Sequence, residues 1–206
     1  MEKISLRNVS GYFTINTQFY NINCTCDNYS MDLNQGLNVL YGDIDTGGNA
    51  ISYTLSMAKY AKKNIVLFPE SQIIVDEVIS DFNTIGDDCC FIDEGYPLFY
   101  KKRSVRKNIE IALKKSKLNC SSKDVKDIFE ISNERYNYSL NRIGNERLRC
   151  LAAIGYAYNK QIYCFPWTSE KMIRYYGKNM TSLLDILLIE NKMILLPTNH
   201  QFIENL

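Results

Sequence analysis

Hydrophobic and polar residues alternate along the first part of the chain, as they do in strands that bury one face. This alternation runs through residues 4–9, and a second extended segment covers residues 19–26 before it leads into residues 31–33. The turn-forming sequence Asn34-Gln35-Gly36 follows directly. Together these patterns predict an antiparallel β-layer at the N-terminal end.

Beyond this layer, short apolar runs alternate with segments of helical periodicity. The apolar runs predict strands at residues 37–41, 63–68, 89–93, 161–165 and 193–196. The periodic segments predict helices at residues 50–61, 104–115, 122–131, 145–158 and 170–189, the third of them capped by residues 121–124. Because the last part of the chain follows a β-α-β-α-β order, we expect a parallel sheet.

The pattern predicts an α/β protein with a single domain over residues 1–206. Its core is formed by about residues 1–95 and 145–206, and a helical subdomain of about residues 96–144 is inserted between them. A chain of 206 residues, 46% hydrophobic and 23% charged, has the usual composition of a soluble globular protein with one sizeable core.

Charge and cysteine content exclude several classes of function. The net charge of +1 shows no basic bias, so no nucleic-acid partner is expected. The sequence predicts neither a signal peptide nor a membrane span, which favours a cytoplasmic protein without direct membrane insertion. Seven cysteines with a single histidine form neither a disulfide framework nor a zinc site, so reduced thiols and no bound metal are expected.

Residues 42–49 read Gly-Asp-Ile-Asp-Thr-Gly-Gly-Asn, which has the outline of the phosphate-binding loop G-x-x-x-x-G-K-[ST]. The loop follows a predicted strand and precedes a predicted helix, the arrangement in which backbone N–H groups and a helix N-terminus cradle phosphates. The candidate nucleotide-binding positions in it are Gly42, Thr46, Gly47, Gly48, Asn49 and Ala50.

Two side chains that this chemistry requires are replaced. Gly48 stands where the loop needs its lysine, and Asn49 stands where it needs its metal-binding hydroxyl. Losing one charge-assisted contact costs about 1.5–3 kcal/mol, and Asp43 and Asp45 add negative charge to an anion site. We therefore expect that no cofactor is required and that ATP with magnesium binds weakly at most.

The same acids suggest a calcium loop, D-x-[DN]-x-[DN]-G, as a second interpretation. In that pattern Gly48 takes the turn position, but Gly47 lacks the side-chain oxygen that its position needs. Thr54 stands where a bidentate glutamate is required, and this argues against calcium.

The order of these features resembles the ATP-binding domain of ABC transporters over nearly the whole chain. Residues 6–10 are similar to the first strand of that family, which places Tyr12 or Phe13 where an aromatic ring stacks on adenine. Either ring could equally belong to the core of the β-layer. Residues 96–109 are similar to the segment after the family's glutamine loop, so Glu94 lies where the metal- and water-contacting glutamine belongs.

The family's signature motif, L-S-G-G-x-x, corresponds to Arg142-Ile143-Gly144-Asn145-Glu146-Arg147. The resemblance implies that Ile143 and Asn145 replace the serine and the second glycine that grip the γ-phosphate of a partner subunit. Isoleucine offers no hydrogen-bonding group, and the Cβ of asparagine limits close approach. We therefore expect that this chain does not complete a partner's site.

Further along, Pro166 and Trp167 occupy the positions of the family's magnesium-binding aspartate and catalytic glutamate. Neither side chain has an oxygen that could hold the metal or a lone pair that could polarise water. We interpret Trp167 as a plug of the vacated pocket, with a ring turned to solvent as the alternative. His200 matches the family's switch histidine, and a structural hydrogen bond is the role we expect for it.

The resemblance thus implies an ABC-type, P-loop NTPase fold whose catalytic positions Glu94, Pro166, Trp167 and His200 are not competent. We expect a non-hydrolysing structural or regulatory component that docks on a competent ABC ATPase subunit or a membrane permease, in a homo- or heterodimer, at the inner face of the membrane. The alternative is a subunit that still binds ATP and hydrolyses it weakly or with a partner's residues.

A third hypothesis is an unrelated thiol enzyme that pairs Cys89 or Cys164 with His200. The sequence offers no third group to orient the histidine, which nucleophilic catalysis of this kind requires.

Overall fold

Two β-sheets form the frame of the protein, whose computed structural model describes residues 2–200. The strands in this part are β1 (Lys3–Asn16), β2 (Asn21–Asn34), β3 (Gly36–Tyr41), β4 (Ile65–Leu67), β5 (Gln72–Val75), β6 (Val78–Ser80), β7 (Cys89–Phe91), β8 (Ile162–Cys164) and β9 (Met193–Thr198). The helices are α1 (Gly47–Met57), α2 (Phe82–Gly86), α3 (Val105–Ser116), α4 (Ser122–Ile128), α5 (Asn133–Asn137), α6 (Arg147–Ala157), α7 (Glu170–Tyr176) and α8 (Lys178–Ile189).

The first sheet confirms the predicted N-terminal antiparallel layer. Its order is β2-β1-β5-β6, and β4 pairs with β1 as well. The buried side chains of Ile4, Leu6 and Leu33 alternate with more exposed ones along β1 and β2, and this alternation is what the sequence pattern predicts for strands with one buried face. The layer is larger than expected, because β5 and β6 belong to it.

The second sheet is parallel, as predicted, and its order is β3-β9-β8-β7. Every residue of β7, β8 and β9 is buried, which explains why these strands read as continuous apolar runs. Helix α1 contacts strands of both sheets, and residues Gly48 to Met57 are all buried. The helix that follows the Gly-rich loop therefore forms the centre of the core.

The helices between β7 and α6 begin at capping residues that can be read from the sequence. The Ser104 side chain accepts from the backbone N–H of Lys107 at the start of α3. At α4, Ser121 and Asp124 form a reciprocal capping box, which confirms the predicted cap.

Three of the predicted helix bounds are wrong. The segment 170–189 forms two helices instead of one, because Gly177 separates α7 from α8 with a φ of +45°, a conformation that favours glycine. The helix predicted at 122–131 ends at Ile128, and Glu130 takes a positive φ of 49°. Helix α1 covers residues 47–57 where 50–61 was predicted.

At Gly11, strand β1 lies very close to the backbone of β4. A Cβ at this position would lie 2.2 Å from the backbone oxygen of Val66 on β4. We expect Gly11→Ala to lower the free energy of unfolding by about 1–3 kcal/mol, because either strand must move to admit the methyl group. Urea denaturation measures this change.

Gly144→Ala is the matched control, because a Cβ at Gly144 meets no atom within 4 Å. Its unfolding midpoint should stay within the error of the wild-type value. Equal midpoints for the Gly11 and Gly144 variants would contradict the close contact between β1 and β4.

Candidate nucleotide-binding site

The Gly-rich loop lies where β3 and β9 end, at the carboxyl edge of the parallel sheet. The Gly42 N–H donates to the Thr198 carbonyl at 2.9 Å, and the Thr46 hydroxyl donates to the Asp43 carbonyl at 2.6 Å. Helix α1 then begins at Gly47, and the N–H groups of Gly47 and Gly48 have no hydrogen-bond acceptor within residues 2–200. These donors belong to the first turn of a helix, where anions are favoured.

The two positions that differ from the phosphate-loop pattern are packed inside the protein. Gly48 lies so close to β3 that a Cβ there would be 2.8 Å from Leu40 Cβ. The Asn49 side chain is buried, and its Nδ2 donates to the Ile44 carbonyl at 2.7 Å within the loop. The side chain at the metal-binding position therefore bonds to the loop itself.

Trp167, shortly after the end of β8, contacts the Gly-rich loop. Its indole Nε1–H donates to the Gly42 carbonyl at 2.9 Å, so the ring reaches the first residue of the loop. The ring is half-buried and does not project freely into solvent. Pro166, before it, is buried, and the Ser52 hydroxyl of α1 donates to the neighbouring Phe165 carbonyl at 2.5 Å.

Tyr20, at the tip of the β1–β2 hairpin, completes the contacts around the loop. Its hydroxyl donates to Asn49 Oδ1 at 3.0 Å and accepts from the Trp167 backbone N–H at 2.9 Å. The same Trp167 N–H lies 3.3 Å from Asn49 Oδ1. Burial raises the pKa of Tyr20 above its ordinary value, so the hydroxyl stays protonated. We call Tyr20, Asn49 and Trp167 the polar triangle.

A second contact fixes the hairpin tip to the segment after β7. The Gln18 N–H donates to Asp93 Oδ2 at 3.0 Å, and the Gly95 N–H donates to Asp93 Oδ1 at 2.7 Å. Asp93 is fully buried, and this burial raises its pKa although the two N–H donors act in the opposite direction. The tip is thus held from two sides.

Glu94, at the glutamine-loop position, pairs with Arg147 at the start of α6. Glu94 Oε1 lies 2.9 Å from Arg147 Nε. The contact is an ion pair without hydrogen-bond geometry, because the Nε–H of Arg147 is directed at the Ile143 carbonyl at 3.1 Å. Arg147 therefore links the segment after β7 to the signature-like segment of the same chain.

The signature-like residues do not reach the Gly-rich loop of their own chain. Ile143 is buried, Gly144 and Asn145 are exposed, and Glu146 Oε2 accepts from the Ser132 N–H at 2.8 Å. Arg142 lies exposed in the 3-10 turn Leu140–Arg142 that precedes them. A groove of about 490 Å³ lies against this segment and is lined by Phe19, Gly144, Asn145, Arg147, Tyr175, Tyr176 and Asn179.

The two candidate adenine-stacking rings have different surroundings. Phe13 is 2% exposed and belongs to the core, whereas Tyr12 is 58% exposed. Tyr12 lines a groove of about 430 Å³ together with Asp45 of the loop and Lys63. Phe13 lines the same groove, but because it is almost fully buried, Tyr12 has the more accessible ring.

His200 faces the start of α7. Its Nδ1 lies 3.8 Å from Glu170 Oε1, and its N–H donates to Thr198 Oγ1 at 3.0 Å. Glu170 also pairs with Arg174 on the next turn of α7. These contacts fit the structural role expected for this histidine.

The cysteines give the thiol-enzyme hypothesis no support. All seven are free, and all except the half-buried Cys120 are buried. Burial and a hydrogen bond with Cys164 raise the pKa of Cys89 well above its ordinary value, which disfavours the reactive thiolate. Within residues 2–200 there is no group of three or more His, Cys, Asp or Glu side chains that could hold a metal ion.

Sequence reasoning missed Tyr20, Asp93 and the partner of Glu94. Tyr20 lies at a hairpin tip, and no spacing rule connects it to the loop 29 residues later. The sequence pattern places Asp93 only at the end of a predicted strand. The Asp-Glu pair after a buried strand was a signal in the sequence, since a carboxylate at the end of a parallel strand often lies near a site.

No family model matches the chain, and no curated protein matches it in sequence. Solved structures do match it. One is described as an ABC transporter ATP-binding protein from Pyrococcus furiosus, with a TM-score of 0.63 and 14% identity over 98% of this chain and 93% of that chain. The dimeric bacterial ABC transporter cassette MJ0796 has a TM-score of 0.62 and 16% identity, over 96% of this chain and 88% of that one.

A third match is cbiO1 from Clostridium perfringens, part of the ABC transporter complex cbiONQ, with a TM-score of 0.60 and 10% identity over 96% of this chain and 78% of that chain. Likeness at these identities shows the fold alone. The chain thus has the fold of an ABC-type ATPase domain, as its sequence predicts. Across residues 2–200, no helix is both long enough and apolar enough to cross a membrane.

Tyr20→Phe tests the polar triangle, since it removes one hydroxyl and leaves the ring. We expect a loss of about 1–3 kcal/mol in the free energy of unfolding, because the Asn49 and Trp167 groups lose a buried partner. Tyr175→Phe removes the same atom from a ring that is 80% exposed and should leave stability unchanged. Chemical denaturation measures the free energy of unfolding of both variants. Equal values for Tyr20→Phe and Tyr175→Phe would contradict the hydrogen bonds of the polar triangle.

The raised pKa of Tyr20 also predicts a pH dependence. Above about pH 10 the unfolded chain loses the Tyr20 proton, whereas the folded protein keeps it. The stability that Tyr20 contributes is therefore complete below that pH and is lost as the pH rises beyond it. The stability difference between the wild type and Tyr20→Phe should shrink between neutral pH and about pH 11.

Proposed function

We propose that this chain uses the ABC-type ATPase fold as a non-hydrolysing structural or regulatory component, which docks on a competent ABC ATPase subunit or on a membrane permease. The polar triangle is the observation that carries the proposal. The positions that would hold the metal ion and the attacking water are occupied by Asn49 and Trp167, and their polar groups bond to Tyr20 and to the loop.

Phosphoryl transfer requires a positioned positive charge, a magnesium ion and an oriented water molecule. At the lysine position, Gly48 leaves no room for a side chain beside Leu40. The Thr46 hydroxyl donates to a carbonyl of the loop, and Glu94 pairs with Arg147. These residues therefore do not provide the positive charge, the metal ligand or the water-orienting group that hydrolysis of ATP with magnesium requires.

The expected partners follow from the solved proteins of the same fold. MJ0796 is dimeric, and cbiO1 is part of a transporter complex. On this chain, Phe19 is 43% exposed and Tyr175 is 80% exposed beside the signature-like Gly144 and Asn145. Exposed aromatic rings around a groove are typical of protein interfaces, so this surface supports docking on a protein partner.

A second candidate function, weak ATP binding with assistance from a partner, is favoured by two features. The N–H groups of Gly47 and Gly48 have no acceptor within the described residues. The groove beside Tyr12 is open at the place expected for the base. A phosphate could accept hydrogen bonds from these two N–H groups, and an adenine ring could stack on Tyr12 in the groove.

Titration calorimetry with ATP and magnesium separates the two functions. The non-hydrolysing proposal predicts no binding tighter than about 100 μM, which corresponds to about −5.5 kcal/mol, and an ATPase rate at background. Tighter binding that Tyr12→Ala weakens and Tyr175→Ala does not would favour the second candidate. ATP hydrolysis above background in the wild type that disappears in Trp167→Ala would contradict the non-hydrolysing role. It would also contradict the idea that the polar triangle prevents hydrolysis.

Restoring the loop lysine provides an independent test. We expect Gly48→Lys to produce no ATPase activity and to lower the free energy of unfolding by about 1–3 kcal/mol, because its Cβ collides with Leu40. Gly144→Lys is the matched control, since that position is exposed and open, and it should unfold like the wild type. A stable Gly48→Lys protein that hydrolyses ATP would show that only the lysine was missing.

A further inference from the structure

A cavity of about 710 Å³ lies beside the C-terminal half of α1. Three segments form its walls, namely the tip of the β1–β2 hairpin, the end of α1 with the turn that follows it, and the segment after β7. The volume falls within the range of about 300–1,000 Å³ that is usual for small-molecule sites. None of the loop residues 42–49 lines this cavity, so it is separate from the Gly-rich loop.

Contacts between the three walls fix the shape of the cavity. The hydrogen bond from the hairpin tip to Asp93 joins the first wall to the third. The Thr14 N–H donates to the Asn64 carbonyl at 2.8 Å and joins the hairpin to the turn after α1. In that turn, the ring of Tyr60 packs edge-on against Tyr96, with 5.6 Å between the ring centroids. A ligand would therefore enter a site that is already formed, which lowers the entropic cost of binding.

The lining of the cavity is strongly basic. Four lysines contribute to it, and we call it the lysine cavity after them: Lys59, Lys62, Lys63 and Lys101. The only acidic residue of the lining is Asp93, whose buried carboxylate accepts hydrogen bonds from two backbone N–H groups. The lining therefore carries a net positive charge.

The C-terminal end of α1 explains only part of this charge. Positive groups are favoured at a helix C-terminus, and Lys59 lies there, but it pairs with Asp87. The Met57 carbonyl already accepts from the N–H groups of Tyr60 and Ala61, at 2.9 Å and 2.7 Å. The helix end is thus satisfied without the other three lysines.

Those three lysines have no carboxylate partner in the described part of the chain. Lys62, Lys63 and Lys101 form no ion pair within residues 2–200. Lys101 belongs to a different wall from Lys62 and Lys63, so the positive charge comes from two sides of the cavity. Like charges around one cavity attract an anion with more than one negative group.

Neutral polar side chains complete the lining. The amide side chains of Asn16, Gln18 and Asn64 line the same cavity. Nε2 of Gln18 is buried and has no hydrogen-bond acceptor within residues 2–200. Amides both donate and accept hydrogen bonds, as the hydroxyl groups of a ligand do.

We propose that the lysine cavity binds a phosphorylated sugar or polyol. Lysine holds phosphate groups as a point charge, and the amide side chains provide partners for the hydroxyl groups of the ligand. The Gly-rich loop, by contrast, has no lysine and contains Asp43 and Asp45, so phosphate groups are attracted to the lysine cavity instead. This site is independent of the proposed function.

Titration calorimetry at low ionic strength tests the proposal, with fructose 1,6-bisphosphate as the probe. We expect binding that Lys62→Gln/Lys101→Gln weakens by about tenfold or more, because this double variant removes one charge from each of two walls. Lys114→Gln/Lys123→Gln is the matched control. It makes the same change in net charge at two exposed lysines on α3 and α4 that do not line the cavity, and it should leave the affinity unchanged.

Three outcomes overturn the proposal: no binding of the probe, binding that the cavity variant leaves unchanged, and binding that both double variants weaken equally. Free fructose, which has the hydroxyl groups without the phosphates, should not bind, and binding equal to that of the bisphosphate also overturns it. If the cavity variant fails to fold, Lys101→Gln compared with Lys123→Gln decides in the same way.

The test is separate from that of the proposed function. ATP held by its phosphates in the lysine cavity would be weakened by Lys62→Gln/Lys101→Gln and not by Tyr12→Ala. ATP hydrolysis would contradict the non-hydrolysing role and leave the binding of the sugar phosphate unaffected.

Discussion

The Tyr20 hydroxyl joins three segments that are far apart in the sequence, namely the tip of the first hairpin, the start of α1 and the end of β8. A buried hydroxyl or amide without a partner costs free energy, so each of these groups requires the others to be in place. The segment after β7 is tied to the same arrangement, because the Gln18 N–H at the hairpin tip donates to the Asp93 carboxylate. The ion pair between Glu94 and Arg147 then connects this segment to α6. The geometry around the Gly-rich loop depends on this set of polar contacts.

Long apolar periodicities made most of the architecture predictable. The parallel strands are buried on both faces and read as continuous apolar runs, and the caps at Ser104 and Ser121 have sequence signatures. The break at Gly177 was missed because a single glycine inside a helical pattern is often tolerated, and only the observed φ shows that the helix ends there. Strands β5 and β6 are short, and their pairing with β1 is decided by tertiary contacts.

The candidate site was predictable only in part. The loop and its two unusual positions can be identified from the spacing of Gly42, Gly47 and Gly48 in the sequence. The hydrogen bonds around the loop cannot be predicted from the sequence, because they join residues such as Tyr20 and Trp167, which are 147 positions apart. The fold is therefore shared with ABC-type ATPase domains at 10–16% identity, while the local chemistry is specific to this chain.

The register between β3 and β9 has a consequence for how the protein is made. Gly36 pairs with Met193, so the strand that leads into the Gly-rich loop meets its only neighbour in the described sheet after a long intervening segment has been synthesised. Such non-local pairing gives a high contact order, and folding that depends on it is slow. On the ribosome, the uncharged segment from Gly36 to Tyr41 stays without this partner until β9 has been translated, and an unpaired apolar strand is prone to non-specific association during that interval.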